Sequence, residues 1–292
     1  MSSDIRQWVK QYPEVIKRLD GIKYSGGTTG RTHQLSGKFQ HQGKTYSQAI
    51  LKYANDTELR FYLSTLYQPD LAPIPFIIDK DKQYILMEYL EPCPVWDNSR
   101  ILSKVFKKLL TLYQHPVPDW IKPQKLIPAN VPIKALSQVK LQDDHMKSLH
   151  KAIELVEQAK DRITQEPYVI NHGDIHFVNT GIRGEDLLIY DWQTLRSMPM
   201  AYEFAYTFYV LNERRDHMPT EQQYYSWFYQ ATGMSLDRDL CRILYLYRSI
   251  YDHIPIYVKV GDSSRMDALH YRTPVIARRI NEWYKRTYLM ML

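Results

Sequence analysis

Residues 171 to 192, Asn-His-Gly-Asp-Ile-His-Phe-Val-Asn-Thr-Gly-Ile-Arg-Gly-Glu-Asp-Leu-Leu-Ile-Tyr-Asp-Trp, bring together side chains that can hold a cation and accept a proton. Two apolar runs, Thr180 to Ile182 and Leu187 to Tyr190, flank Arg183-Gly184-Glu185-Asp186, the pattern of a β-hairpin closed by a Gly-containing turn. Pairing those strands brings their outer ends together, so Asn179 and Asp191 should meet at the open end of the hairpin. An amide carbonyl beside a carboxylate suits a hard, oxygen-seeking cation. Magnesium in particular takes one or two protein oxygens and completes its shell with substrate phosphates and water. Asp174 stands five residues before Asn179, in a loop after the apolar stretch Tyr168-Val169-Ile170, where it can orient a nucleophile.

Phosphoryl transfer asks a protein for metal, positioning and a carboxylate that takes the proton of the attacking hydroxyl. The stretch supplies these parts in the order kinases use them. His172-Gly173-Asp174-Ile175-His176-Phe177-Val178-Asn179, followed by Tyr190-Asp191-Trp192, resembles the signature of the aminoglycoside phosphotransferase and choline kinase family. Each residue alone is weak evidence, since a loop Asp is ordinarily a turn or cap and a single His is ordinarily structural. The joint match in type, spacing and strand context is what carries the resemblance.

The elements that must position this stretch are legible upstream. Residues 46 to 53 read as a strand with Lys52 near its end, Ile50 and Lys52 sharing one face. Asn55-Asp56-Thr57 then supplies helix-start residues, and Glu58, Phe61, Tyr62 and Leu66 follow at helical spacing. The resemblance implies that Lys52 holds the nucleotide phosphates and Glu58 orients it; an exposed Lys and Glu on unrelated elements is the plain alternative. Ser25, Gly26, Gly27, Thr28 and Thr29 lie in a turn where small residues let backbone amides approach phosphates. The run lacks a P-loop pattern and reads equally as an ordinary hairpin turn. Phe76-Ile77-Ile78 and Tyr84 to Leu90 form a further hairpin, and the resemblance makes Met87-Glu88-Tyr89-Leu90 the hinge, with Glu88 and Leu90 beside the base.

Elsewhere the pattern is scaffold. Ile5, Trp8, Val9, Tyr12, Ile16 and Leu19 predict two short helices or one broken at Pro13. Two prolines in Glu91-Pro92-Cys93-Pro94 mark a lobe boundary, giving a nucleotide-binding lobe over 1 to 91 and a helical lobe over 92 to 292 that holds the catalytic loop and acceptor pocket. Amphipathic helices are expected from Leu102 to Tyr113 and from Met146 to Ile163, with later ones near 200 to 212, 220 to 231, 237 to 258 and 266 to 288. Tyr202, Tyr206, Tyr209, Trp227 and Tyr247 are core residues first; the resemblance lets some also wall the acceptor pocket.

Composition bounds the function classes. The chain has 292 residues, 44% hydrophobic, enough for a real core in two lobes. Net charge is +6, but basic and acidic residues interleave without a basic run, which argues against nucleic acid as partner. Cys93 and Cys241 have neither metal-ligand spacing nor a disulfide framework. There is no 18-residue apolar run and no signal-peptide pattern at the start, so a cytoplasmic protein with no membrane partner is expected. Nothing in the sequence specifies an oligomeric state.

The expected fold is therefore α+β, a two-lobed protein-kinase-like arrangement of a small antiparallel-sheet lobe and a larger, mostly helical lobe. The resemblance implies ATP- or GTP-dependent, magnesium-assisted phosphorylation of a small-molecule hydroxyl, with Asp174 as base and Asn179 and Asp191 as metal ligands. Three positions depart from the family pattern: Tyr190 where Ile is usual, Thr180 where an aliphatic is usual, and Glu203 where Asp is common. None removes a group the chemistry needs. A catalytically inactive, kinase-like binding or regulatory protein is the alternative; it would be expected to lose Lys52, Asp174 or Asp191, and all three are present. A protein kinase would need an Ala-Pro-Glu segment and a longer loop after Asp191.

Overall fold

The computed structural model describes residues 2–26, 32–94, 96, 98–139, 141–212, 219–261 and 263–289. They form two compact units, one of residues 1–96 with 172–195 and one of 97–171 with 196–292. The stretch that carries the motif thus packs with the N-terminal sheet, although the sequence division counted it with the helical lobe.

In the first unit, helix α1 (Ser2–Val9) precedes strands β1 (Ile16–Gly26), β2 (Thr32–His41) and β3 (Lys44–Tyr53), helix α2 (Asp56–Leu63), and strands β4 (Pro75–Asp79), β5 (Tyr84–Glu88) and β6 (Glu91–Pro92). The antiparallel sheet runs β1-β2-β3-β5-β4. Gln42 and Gly43, both at positive φ, turn β2 into β3, a two-residue hairpin that matches the strand twist. Ala49 and Leu51 of β3 enter a core with Leu35, Phe39, Phe76, Ile77 and Leu86, closed by Ile5, Trp8 and Val9 of α1. Alternation sends Ile50 and Lys52 to the opposite face. Trp8 Nε1 and Tyr12 Oη both donate to Asp79 Oδ2, at 2.7 and 2.9 Å, fixing α1 and its C-terminal turn against the end of β4.

The expected N-terminal helix pattern fails after Tyr12. Ile16 and Leu19 lie in β1, paired with Phe39 and Gly37, because Pro13 ends helical propagation and β2 offers those residues a ladder. The supposed linker at Glu91-Pro92 is also structured, pairing as β6 with Gly181 and Ile182.

The second unit contains α3 (Ser99–Tyr113), α4 (Asn130–Leu136), α5 (Asp143–Gln158) and α6 (Lys160–Gln165), then strand β7 (Tyr168–Asn171). Thus the stripe from Met146 to Ile163 belongs to two helices. In the first unit β8 (Thr180–Arg183) and β9 (Asp186–Ile189) make the hairpin. Back in the second unit, β10 (Arg196–Pro199) pairs antiparallel with β7. There follow α7 (Met200–Asn212), α8 (Glu221–Thr232), α9 (Arg238–Tyr247), a π-helical segment Arg248–His253, α10 (Ile254–Val260) and α11 (Ser263–Leu289). The single helix expected over 237 to 258 is interrupted there. Pro255 has no amide to donate to the carbonyl of Tyr251, and the helical ladder widens just before it. No helix among the described residues is long and apolar enough to cross a membrane.

Candidate active site

The hairpin forms as its sequence implies. Thr180 pairs with Ile189 and Arg183 with Asp186, and Gly184 at φ 60° makes the turn. At the open end Tyr190 N–H donates to Asn179 O at 3.0 Å, so the residues on either side of the mouth are tied. Gly181 has to be glycine: a Cβ there would lie 2.5 Å from Leu90 Cβ, where β6 crosses it.

Lys52 emerges from the β3 face opposite the core. Its Nζ stands 2.9 Å from Glu58 and 2.6 Å from Asp191 Oδ1. Burial works against the ammonium, but the two carboxylates outweigh it and hold Lys52 above the ordinary lysine value. Glu58, wholly buried, is lifted above the usual carboxylate value by desolvation while Lys52 pulls it back. The helix that carries Glu58 is set by Asn55, whose Oδ1 accepts from Glu58 N–H at 3.0 Å and whose Nδ2 donates to Gln193 O at 3.0 Å. Glu58 also accepts from Trp192 N–H at 3.1 Å, and the Trp192 indole stacks on Phe61 with ring centroids 4.0 Å apart. Helix α2 therefore grips the chain next to Asp191 with both a charge and a ring.

Asp191 itself is in the left-handed region, at φ 70° and ψ 55°. A non-glycine residue there costs of order 1 kcal/mol or more, tolerated where neighbours over-determine the backbone. Its side chain stays 37% exposed, toward a cavity of about 340 Å³. Asn179 lines the same cavity; its Nδ2 donates to Asp174 O at 2.8 Å and lies 3.4 Å from Asp174 Oδ2, so Oδ1 is the atom it has left to offer a cation.

Asp174 is positioned by His172 as well as by Asn179. Its N–H donates to His172 Nδ1 at 3.2 Å, while His172 Nε2 lies 3.1 Å from Tyr190 O. This pattern makes Nδ1 the acceptor and Nε2 the protonated nitrogen, a neutral ring. Burial pushes its pKa down to about 4, overcoming the pull of Asp174 and Asp191, in keeping with that tautomer. His176 Nδ1 accepts from Val178 N–H at 3.2 Å and its Nε2 lies 3.6 Å from Asp174 Oδ2.

The structure thus brings Lys52, Glu58, Asp174, Asn179 and Asp191 into one connected set. Lys52, Glu88, Leu90, Asn179 and Asp191 line the cavity, together with Thr32, Gln34, Ile50, Val178 and Tyr190. Ser25 and Gly26 end β1, with Gly26 paired to Thr32; Gly27, Thr28 and Thr29 lie outside the described residues. Glu88 uses its side chain structurally, accepting from Ile74 N–H at 2.8 Å and pairing with Arg183, which also donates to Pro69 O at 2.7 Å. Arg183 escaped sequence reasoning because its partner is 95 residues away. Thr32 and Gln34 could have been found from strand registry, since they sit opposite Lys52 and Ile50. In the second unit, Tyr202, Tyr209 and Tyr247 are buried, and Tyr202 bonds Asp252 and Arg196.

Known proteins with this fold include a spectinomycin phosphotransferase bound to AMP, 13% identical, with TM-score 0.71 over 94% of this chain and 97% of that one. A choline kinase from Streptococcus pneumoniae is likewise 13% identical, with TM-score 0.67 over 94% and 99%. An ethanolamine kinase from Plasmodium vivax is 15% identical, with TM-score 0.60 over 90% and 83%. No curated protein sequence matches significantly. The sequence pattern of the phosphotransferase enzyme family matches residues 49–234, from the strand of Lys52 through the whole catalytic hairpin, and the chain belongs to that family.

Proposed function

We propose that this phosphotransferase uses ATP or GTP, with magnesium, to phosphorylate a hydroxyl of a small molecule. The observation that carries the reading is the Lys52 ammonium, held between Glu58 and Asp191 at the wall of a nucleotide-sized cavity. One ammonium here faces the carboxylates of Glu58, Asp191 and, through Asn179, Asp174, an arrangement too negative to receive a polyphosphate without a cation. The donor set fits magnesium: Asn179 Oδ1 and an Asp191 oxygen are hard ligands on tied ends of one hairpin. Magnesium, when bound through them, would neutralise charge on the phosphates.

The protein's own share is positioning. Lys52 hydrogen-bonds a phosphate oxygen, and Glu58 keeps the ammonium pointed into the cavity. Asp174 accepts the acceptor's proton; Asn179 lies against that carboxylate and His172 holds its backbone N–H, and neutral His172 adds no competing charge. Ser25 to Thr29 would cover the phosphates with backbone amides. The similar folds belong to enzymes named for spectinomycin, choline and ethanolamine, so amino alcohols and aminocyclitols head the acceptor candidates, followed by sugars.

The test is a panel of such acceptors screened for ATP and GTP consumption, with calorimetry of nucleotide binding. Turnover with one acceptor is expected, falling by about 10² to 10⁴ in Asp174→Asn with nucleotide affinity nearly retained. Nucleotide affinity should also require magnesium. Equal affinity with and without magnesium, in wild type and in Asp191→Ala, would remove the metal assignment.

A further inference from the structure

We infer that Arg183 is a positioning residue: from the turn end of the catalytic hairpin it sets the angle at which Asn179 and Asp191 are presented to a metal-bound nucleotide. This rests on the nucleotide and magnesium reading above. Arg183 lies at the far end of β8, four residues and about 13 Å along the strand from Asn179. Its guanidinium forks onto Glu88, Nε donating to Oε2 at 3.1 Å and Nη2 to Oε1, and Nη1 donates to Pro69 O at 2.7 Å. Ile74 N–H donates to Glu88 Oε1 as well, at 2.8 Å, and Glu88 N–H returns to Ile74 O at 3.0 Å. One side chain of the hairpin is thereby tied both to the end of β5 and to the loop that follows α2.

The hairpin is also held nearer its mouth. β8 pairs with β6, a strand of only two residues, Glu91 opposite Ile182 and Pro92 opposite Gly181, and Pro92 has no N–H to give. So short a ladder resists rocking poorly. A lever of about 13 Å turned by about 5° carries its end about 1 Å, and a misplacement of about 1 Å can cost about a hundredfold in rate. Helix α2 grips the mouth, through Glu58 on Trp192 N–H and Phe61 on the indole. The loop after α2 runs along the hairpin, Pro69 O accepting from Arg183 and Leu71 O from Ile189 N–H at 2.9 Å. Helix and loop together clasp the hairpin along its length, and Arg183 closes the clasp at the turn. A guanidinium suits that task because its planar fork fixes direction as well as distance, whereas an ammonium would supply charge without angle. Glu88 is buried, so solvent does little to loosen its end of the fork.

Calorimetry of the magnesium and calcium complexes of ATP and GTP on wild type, Arg183→Lys and Arg183→Met, with urea unfolding of each, tests this. Magnesium demands near-octahedral oxygens at about 2.0 to 2.1 Å while calcium tolerates looser sets, so a mistilted mouth shows as a changed metal preference. Both variants should weaken the magnesium complex by about tenfold and the calcium complex by less than about threefold. Arg183→Lys keeps a cation beside Glu88, so it carries the test even if Arg183→Met fails to fold. A lowered urea midpoint with the metal preference of wild type would overturn the inference, because the fork would then only fasten the hairpin. A wild-type preference in Arg183→Lys would overturn it too, because charge without the fork would then suffice. A wild-type chain that binds none of the four complexes would overturn the nucleotide reading itself, a failure visible before any substitution is made.

Discussion

Two part-buried ion clusters, one in each unit, use similar groups to opposite ends. In the second unit Arg242 forks onto Glu221, Nε to Oε1 at 3.1 Å and Nη2 to Oε2 at 2.7 Å, and Tyr209 donates to Glu221 at 2.5 Å. The guanidinium also lies over Trp283, 5.4 Å from the ring centroid. Burial would raise the Glu221 carboxyl, but the Arg242 and Tyr209 hydrogen bonds prevail and hold it below the usual range. Arg242 in its fixed fork, with Arg238 also acting on Glu221, answers Glu221 and the exposed Asp239, so charge is matched by charge. In the first unit a single lysine answers two carboxylates, one of them on a left-handed residue that opens onto a cavity. That cluster is incomplete as it stands, and a cation with phosphates would complete it. Imbalance and backbone strain at the rim of a slot mark a place that works on ligands, whereas balance marks a place that holds helices together.

The sharpest way to break this comparison is to remove the lysine. Lys52→Met should cut turnover by about 10² to 10³, the loss expected when one preorganised charge on a developing oxyanion is removed. Glu58→Gln should cost less, and the double variant little more than Lys52→Met alone, because the two act as one unit. Circular dichroism should show both variants folded. Mild, additive losses would mean that the buried Lys52–Glu58 pair is structural and takes no part in holding phosphate.

The lysine pair was legible in the sequence for local reasons: strand alternation put Lys52 on one face with Ile50, and Asn55 announced the start of the helix that carries Glu58. The motif from His172 to Asp191 was legible because its parts lie in one short stretch, a hairpin and the loop that leads into it. What sequence could not give was pairing across distance. Arg183 to Glu88 spans 95 residues, and the Phe61 stack on Trp192 spans more than a hundred. Ile16 and Leu19 looked helical because their spacing fits a helix, and only the presence of β2 made them a strand. The role of His172 was likewise hidden, since its neutrality depends on burial.

That neutrality sharpens the comparison through pH. The folded-state pKa of His172 is about 4, below its usual 6.5, so the unfolded chain binds the extra proton and stability must fall as pH drops through this window. The sign is fixed by the depressed value: the stabilisation is whole above about pH 6.5 and shrinks toward pH 4. The expected loss from this group is about 2 kcal/mol near pH 5 and about 3 kcal/mol near pH 4. Asp174, Asp191 and His176 are the charged or titratable groups that face it. Urea unfolding from pH 7 to 5 reads the upper part of the window. His172→Gln should flatten the slope there, and a wild-type curve already flat would show that the ring titrates normally.

The smallest effect is expected from the balanced cluster. Arg242→Met leaves Glu221 with Tyr209 as its remaining donor, and leaves Asp239, 3.6 Å from Arg242, without its partner in the next turn. Breaking a fully buried pair costs about 3 to 5 kcal/mol, but about a quarter of each side chain, Glu221 and Arg242, is exposed, and solvent screening brings the expected loss to about 1 to 2 kcal/mol. Because the removed fork ties α8 to α9 and touches neither Lys52 nor the hairpin, the loss should appear in the urea midpoint alone. Mg·ATP affinity should match wild type, and Glu221→Gln should destabilise less, since a neutral amide can still accept from Tyr209 and Arg242. A change of nucleotide affinity in Arg242→Met, without a matching loss of stability, would mean that the two clusters are coupled and that balance is no sign of a purely structural role.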